Sequence, residues 1–498
     1  MKEAIFLLGT WKNHEQFQIW LEQKLLSFLP EHEKQVRFYA DILEKLYVLN
    51  LDKVLPLVKD RYASTGRPAQ SQPEIFRALV VMSYFKEGIT AFVKRLKAHP
   101  ILATVCGFEP DCVPGVGTFH DFLDRFWLGD EPSKILREPR KKQGKKPMKG
   151  EKLPDKNTNR TSDLVHKLLG GHFFDEGPEN LLQKIFTKCA VEPSLDLGLC
   201  GDTRELVFAG DGAPLETGAS HLGKKVCSCK QQGIYRCSCP RLYTDPAATW
   251  GWDSYHERWF YGHTMYCFTA ANSENDLPLL VHLTQASRHD SGTFVFAYDQ
   301  LRRLYPEIVF RAALLDSAHD AYAIYRLLMD HNIEPFIELN QRRGRPRVHS
   351  AVEVNEKGHP VCSAGLEMLY DWTDQERQRI KWRCPMHKNL GDCPYSQQCS
   401  PSAYGRVVYT KPKDDFRLFT QTPRGSKAWK KMYARRTTVE RSIKRTLVDY
   451  LLESRRHRSK KIWFWFASLA AINQHLDAQV KTQEHTLFAR LGLEAKAA

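Results

Sequence analysis

Apolar residues recur at helical spacing through the first quarter of the chain. Ser71-Gln72-Pro73-Glu74 reads as a helix start, with Ser as N-cap, Pro in the first turn and Glu reaching back. After it, Ile75, Ala78, Leu79, Met82 and Phe85 share one face. A second helix is predicted through Ala91, Val93 and Leu96, and a third from about Thr118 with Phe119, Phe122, Leu123 and Phe126. Short helices joined by Gly- and Pro-containing turns predict a helical domain over residues 1–135 and fit a helix-turn-helix-like DNA-binding module. Helical periodicity alone reports burial, so a packing domain with no DNA contact is the competing reading.

Beyond Leu164 the pattern becomes strands alternating with helices. A helix over 180–189 leads to the apolar run Leu206-Val207-Phe208-Ala209, which stops at Gly210-Asp211-Gly212. Two β-like stretches, 263–270 and 279–284, flank the turn Ser273-Glu274-Asn275-Asp276 and predict a hairpin. A helix over 291–304, a buried strand over 308–315 ending at Asp316, a helix over 321–329 and a strand over 334–339 follow. The predicted fold class is therefore α/β, a mixed sheet flanked by helices. Near the C-terminus, Trp463, Phe464, Trp465, Phe466, Leu469 and Ile472 resemble a buried amphipathic helix. Stacking of Trp463 and Trp465 on a flipped base is the second reading of that segment.

Charge changes the picture. Lys and Arg outnumber Asp and Glu by 73 to 58, for a formal net charge of +15, and the excess is clustered. That points to a polyanionic partner. The sharpest cluster is a basic linker, 136–165, whose Lys141, Lys142, Lys145 and Lys146 suit sequence-independent phosphate neutralisation or a plain solvated spacer. The longest apolar stretch, 462–472, is too short to span a bilayer, and the N-terminal residues make a poor secretory signal. No membrane partner is expected, and the expected location is cytoplasmic, with the nucleoid. Thirteen cysteines in such a reducing compartment suggest metal ligation before disulfides.

Those cysteines cluster twice. Cys227, Cys229, Cys237 and Cys239 form two Cys-x-Cys pairs within thirteen residues, able to reach one tetrahedral Zn²⁺, with free thiols as the alternative. Lys224, Lys225, Lys230, Arg236 and Arg241 flank them. The second set is Cys384, His387, Cys393 and Cys399, with Cys362 as a spare ligand, in an insertion over 343–413. Either zinc would be structural, since ligation by protein alone leaves no open position.

Two apolar strands end in an aspartate, Asp211 and Asp316, and carboxylates at strand ends can converge across a sheet edge. A third acid, Glu440, falls with Tyr433, Arg436 and Lys444 on one face of a helix over 431–444. That face is polar and mixed in charge, which suits a site lining better than a packing surface. Phosphodiester hydrolysis without a covalent enzyme intermediate needs an activated water and a stabilised leaving oxygen. Two Mg²⁺ or Mn²⁺ ions held by carboxylates supply both. Singly, each acid has a plainer role: Asp211 in a turn, Asp316 as a helix cap, Glu440 paired with Lys444. Asp320 competes with Asp316 as cap and ligand. Asp316 is preferred because it directly ends the strand.

In this order the motifs resemble an insertion-sequence DDE transposase with a ribonuclease H-like catalytic core. Tyr433-x2-Arg436-x3-Glu440 matches the signature carrying that family's third acid. The run from Ala209-Gly210-Asp211-Gly212 to Ser220 resembles its first-acid block, and Leu314-Leu315-Asp316-Ser317-Ala318-His319-Asp320 its second. His289-Asp290-Ser291 resembles a motif before the intervening helix. Two departures stand out. Leu447 occupies the place of a frequent Lys, leaving Lys444 or Arg445 for that role, and Ala318-His319 replaces the usual Gly-Tyr. The resemblance implies catalysis by Asp211, Asp316 and Glu440, DNA contacts from Tyr433, Arg436, Lys444 and Arg445, and a catalytic domain over 166–342 and 414–480. The Cys-x-Cys insertion at 221–245 interrupts that domain, and a tail follows from 481. It also implies cleavage at transposon ends, transfer of the freed 3′-hydroxyl to target DNA, and a homodimer on double-stranded DNA. A ribonuclease H-like resolvase or nuclease, or a domesticated DNA-binding protein without catalysis, are the rival readings.

Overall fold

The computed structural model describes residues 11–63, 65, 69, 71–129, 135–137, 160–340, 353–355, 357–374, 376–388, 393, 395, 399–400, 402, 404–482 and 487–493. Lys141, Lys142, Lys145 and Lys146 lie outside the described residues.

Six strands make the main sheet: β1 (Leu206–Glu216), β2 (Thr249–Asp253), β3 (Arg258–Ala270), β4 (Pro278–Gln285), β5 (Phe310–Leu315) and β6 (Glu334–Ile337). Its order is β4-β3-β1-β5-β6, with β2 antiparallel to the first residues of β3. β3 runs antiparallel to both β1 and β4, whereas β1 and β5, and β5 and β6, are parallel. The two helices read from the sequence carry the crossovers that parallel pairing requires, α1 (Asp290–Leu304) into β5 and α2 (Tyr322–Asp330) into β6. β3 lies between two partners and is buried from Phe260 to Ala270, so its sequence shows no alternation. β2 has a clear alternation, with Trp250 and Trp252 outward, yet only five residues.

The helix Lys460–Lys481 ties the molecule together. It is buried almost continuously from Trp463 to Gln479 and packs against β4 and the helix Gln72–Tyr84. One apolar cluster therefore joins the N-terminal helices to the sheet. Trp463 and Trp465 belong to that core, and Trp465 Nε1 donates to the Leu123 carbonyl at 3.3 Å. The packing reading of the segment holds.

Four expectations change. Gln72–Tyr84 is buried on every side through Ser83, Arg77 included, rather than along one face, because the C-terminal helix covers what would have been its polar side. Ser71 makes no capping bond, since its backbone is left-handed (φ +63°). In Ile89–Ala98 the buried residues are Ile89, Phe92, Val93 and Leu96, while Ala91 is exposed. Both ends of the expected linker also carry structure. Ile135–Arg137 pairs with Arg241–Tyr243, and Arg160–Leu169 packs on α1 and α2. Within 343–413, Leu369–Asp374, Arg379–Arg383 and Val407–Thr410 form a separate antiparallel sheet with its own small core around Trp382. Among the described residues, no helix is long and apolar enough to cross a membrane.

Candidate functional site

Strand register sets the first two acids side by side. β1 does not stop at Asp211, as its apolar run suggested, but continues to Glu216 against β3 alone. Its parallel partner β5 ends where Gly210 faces Leu315. Asp211 and Asp316 are therefore the next residue on each strand, at the carboxyl edge of the parallel pair.

The two carboxyls are held differently. Asp211 Oδ1 accepts its neighbour's backbone N–H, from Gly212 at 2.8 Å. Burial, and then the charge of Asp316, push the Asp211 carboxyl up to about 7. Burial also acts to raise Asp316, but the His319 ring and the Ala318 N–H bond its Oδ1 at 2.5 and 3.1 Å and bring it below the ordinary range. His319 is fully buried, and its other nitrogen meets the Tyr266 hydroxyl at 2.8 Å. Burial opposes its protonation, yet Asp316, Asp290 and Asp211 raise its pKa.

Asp290 is a carboxylate that sequence reasoning missed as a site residue, although its His-Asp-Ser motif was visible. It opens α1 beside Gly212, where an added Cβ would fall 2.7 Å from Asp290 Oδ1. Burial raises its pKa, with Asp316 adding to the effect. His319 had been visible only as a departure from the family pattern.

Glu440 lies on a helical run that is α-helical over Lys427–Tyr433, tightens over Ala434–Arg436 and resumes over Thr437–Lys444. Arg436 links it to the strand edge. Its Nη2 donates to Glu440 Oε1 at 2.6 Å, and its Nη1 lies 3.6 Å from Asp211 Oδ2. Tyr433 stacks on Trp429 with centroids 4.6 Å apart and donates to Glu338 Oε2 at 3.2 Å. Exposed Lys444 lines a cleft of about 490 Å³ with Asp211 and Glu440. Asp316 and Asp290 line an adjoining cleft of about 940 Å³, rimmed by Trp250, Trp252, Tyr255 and Trp259.

Arg445 is a correction. It donates to the carbonyls of Asn275, at 2.9 Å, and Asp276, so it grips the β3–β4 turn and does not face the cleft. One turn earlier, Arg441 pairs with both Asp276 oxygens at 2.6 and 2.7 Å. One side of the helix thus clamps the hairpin, and the side bearing Arg436, Glu440 and Lys444 is left to the cleft. Asp320 is buried and engaged by Arg417 and the Asn340 N–H, which leaves Asp316 as the strand-end acid.

The acids suit a hard divalent cation in donor type. Asp211, Asp290 and Asp316 act on one another's charge, with His319 as a shared cationic neighbour. Among the described residues, however, no three carboxylates gather their oxygens within 4.8 Å, and Arg436 stands between Asp211 and Glu440.

The set that does meet that spacing is Cys227, Cys229, Cys237 and Cys239, which could hold a Zn²⁺. The Cys227 thiol is lowered to about 7, first by the Cys229 backbone N–H and then by Cys237, whereas hydrogen bonding with Cys239 and then Cys227 pushes Cys229 up to about 12. Cys384, Cys393 and Cys399 are not gathered in this way, and the side chain of His387 lies outside the described residues. Cys362 is buried within the small second core. No family model matches the chain, and no match is found among characterised proteins.

Proposed function

We propose that this chain is a DDE-type DNA transposase, which binds the terminal inverted repeats of its element, cleaves them and joins the 3′-hydroxyl ends to target DNA. The observation that carries this reading is the register placing Asp211 beside Asp316, with Arg436 connecting Glu440 to Asp211. The sheet order, with two antiparallel strands on one side of β1 and two parallel ones on the other, supports a ribonuclease H-like core.

Asp211, Asp316 and Glu440 would hold Mg²⁺ or Mn²⁺ as a pair of ions, which when bound supply the activated water and neutralise the leaving oxygen. His319 keeps the Asp316 carboxylate ionised and oriented through its ring N–H. Arg436 balances Asp211 and Glu440, and its guanidinium is placed to offer donors to a phosphate. Tyr433 and Lys444 extend the same polar face toward DNA. A reaction on two transposon ends calls for two copies of the chain on double-stranded DNA in the cytoplasm.

The test is Mg²⁺-dependent cleavage and joining of the DNA that flanks this reading frame, run beside Glu440→Gln. Wild type is expected to nick and join the ends, and the variant to lose on the order of 100-fold or more in rate. Cutting without joining would point to a ribonuclease H-like nuclease. End binding without any cutting would point to a domesticated DNA-binding protein.

A further inference from the structure

The segment between Leu215 and Met265 contributes no residue to either apolar cluster. Its tip, 221–242, turns outward the side chains that would normally form a core. Leu222 is 56 % exposed, Val226 54 %, Ile234 49 % and Tyr235 68 %. Regular pairing within this tip amounts to Lys224 and Lys225 against Leu242 and Arg241, whose other edge takes Ile135–Arg137. A piece of chain this short and this poorly buried does not repay its ordering entropy by apolar contact.

What it has instead is sulfur. The Cys227–Cys237 and Cys229–Cys239 sulfurs are 3.6 and 3.5 Å apart, and all four lie within 4.8 Å of one another. A disulfide needs about 2.0 Å. A ZnS₄ tetrahedron with bonds of about 2.3 Å has edges of about 3.8 Å. The pairs are far from the first value and close to the second. Gly233, with φ +77°, makes the turn that returns the second Cys-x-Cys to the first. Below the sulfurs the segment is anchored to the main sheet, where Asp245 bonds the Thr217 hydroxyl at 2.8 Å and the His263 ring at 3.0 Å.

We propose that a structural Zn²⁺ held by Cys227, Cys229, Cys237 and Cys239 replaces the missing core of residues 221–242 and thereby fixes the strand Arg241–Tyr243 on which Ile135–Arg137 docks. Binding converts four thiols to thiolates and releases four protons, leaving a site of charge −2 in a segment that also carries Lys224, Lys225, Lys230, Arg236 and Arg241. Four sulfur ligands close the coordination shell, so the ion serves folding and takes no substrate. The metal then governs how the end of the N-terminal helical region is attached to the catalytic sheet. This site stands whether or not the chain moves DNA.

The experiment uses the full chain purified under reducing conditions, with Cys227→Ser/Cys237→Ser beside it. Metal analysis is expected to show one zinc fewer per chain in the variant than in wild type. Wild type reloaded with Co²⁺ should show tetrahedral thiolate–cobalt absorption that the variant lacks. On chelation, hydrogen exchange should rise in 221–243 and in 135–137 together, while β1, β3 and β5 stay protected. Equal zinc in both proteins, Cys227–Cys237 and Cys229–Cys239 disulfides in reduced wild type, or exchange in these segments unmoved by chelation would each overturn the proposal. If the variant fails to fold, the cobalt spectrum and exchange of chelated wild type decide the matter alone.

Discussion

Asp211 sits in surroundings that oppose its own ionised form. Its carboxyl is mostly enclosed at the cleft wall and feels the charge of Asp316, while Arg436 Nη1 is 3.6 Å off. A carboxyl with a raised folded-state pKa binds its proton more tightly folded than unfolded. The resulting penalty is absent below about 3.8, grows as pH rises and is complete above about 7. Asp211→Asn carries no such penalty, so without divalent cations it should match wild type near pH 4 and exceed it by roughly 1–3 kcal/mol at pH 8. Thermal melts at the two pH values measure this, and equal stability at pH 8 would sink it. Added Mg²⁺ should narrow the difference by stabilising wild type alone. His319 has the opposite role, its buried ring bridging Asp316 and Tyr266.

At the scale of elements, the site depends on how the Glu440 helix is fastened. Arg441 and Arg445 hold the β3–β4 turn, where Asp276 has a left-handed backbone (φ +51°), and that grip sets which face meets the strand edge. Arg441→Ala removes a two-pronged pair to a buried carboxylate and should lower stability by about 1 kcal/mol, read from the urea midpoint. Because Glu440 is aimed by this clamp, cleavage should fall roughly tenfold or more. DNA affinity should change little, since Arg441 points away from the cleft. A proportional loss of binding and cleavage would mean that the arginine touches DNA. The helix was legible in the sequence from its spacing, and so was the polar face of Tyr433, Arg436, Glu440 and Lys444. The clamp was not, because nothing local in Arg441 or Arg445 announces a partner about 165 residues upstream.

For the whole molecule, the charge of +15 is the dominant long-range property. Each lysine that neutralises a DNA phosphate releases counterions, and log K then falls with log salt by about 0.9 per contact. Replacing Lys141, Lys142, Lys145 and Lys146 with Gln should therefore reduce the salt slope of DNA binding by as much as about 3.6. An unchanged slope in a binding titration would assign these residues to a solvated spacer. The continuous core between the N-terminal helices and the sheet joins the two regions into one packed body. Helix Gln72–Tyr84 is spent on that packing, whereas His14–Phe38, Ile89–Ala98 and Val116–Arg125 each keep an exposed face.

The sequence by itself determined the alternation of strands and helices, the polar face of the Glu440 helix and the pairing potential of the Cys-x-Cys motifs, because each is a property of neighbouring residues. It also drew attention to Asp211 and Asp316, as polar interruptions after apolar runs. Only the tertiary structure decided that β1 continues beyond Asp211 while β5 stops, that Asp290 and His319 lie near Asp211 and Asp316, that Asp320 is consumed by Arg417, and that Arg445 holds a turn. Those outcomes depend on register and on which distant chain supplies a counter-charge. Hydrophobic periodicity fixes which face of an element is buried, but not which partner lies against it.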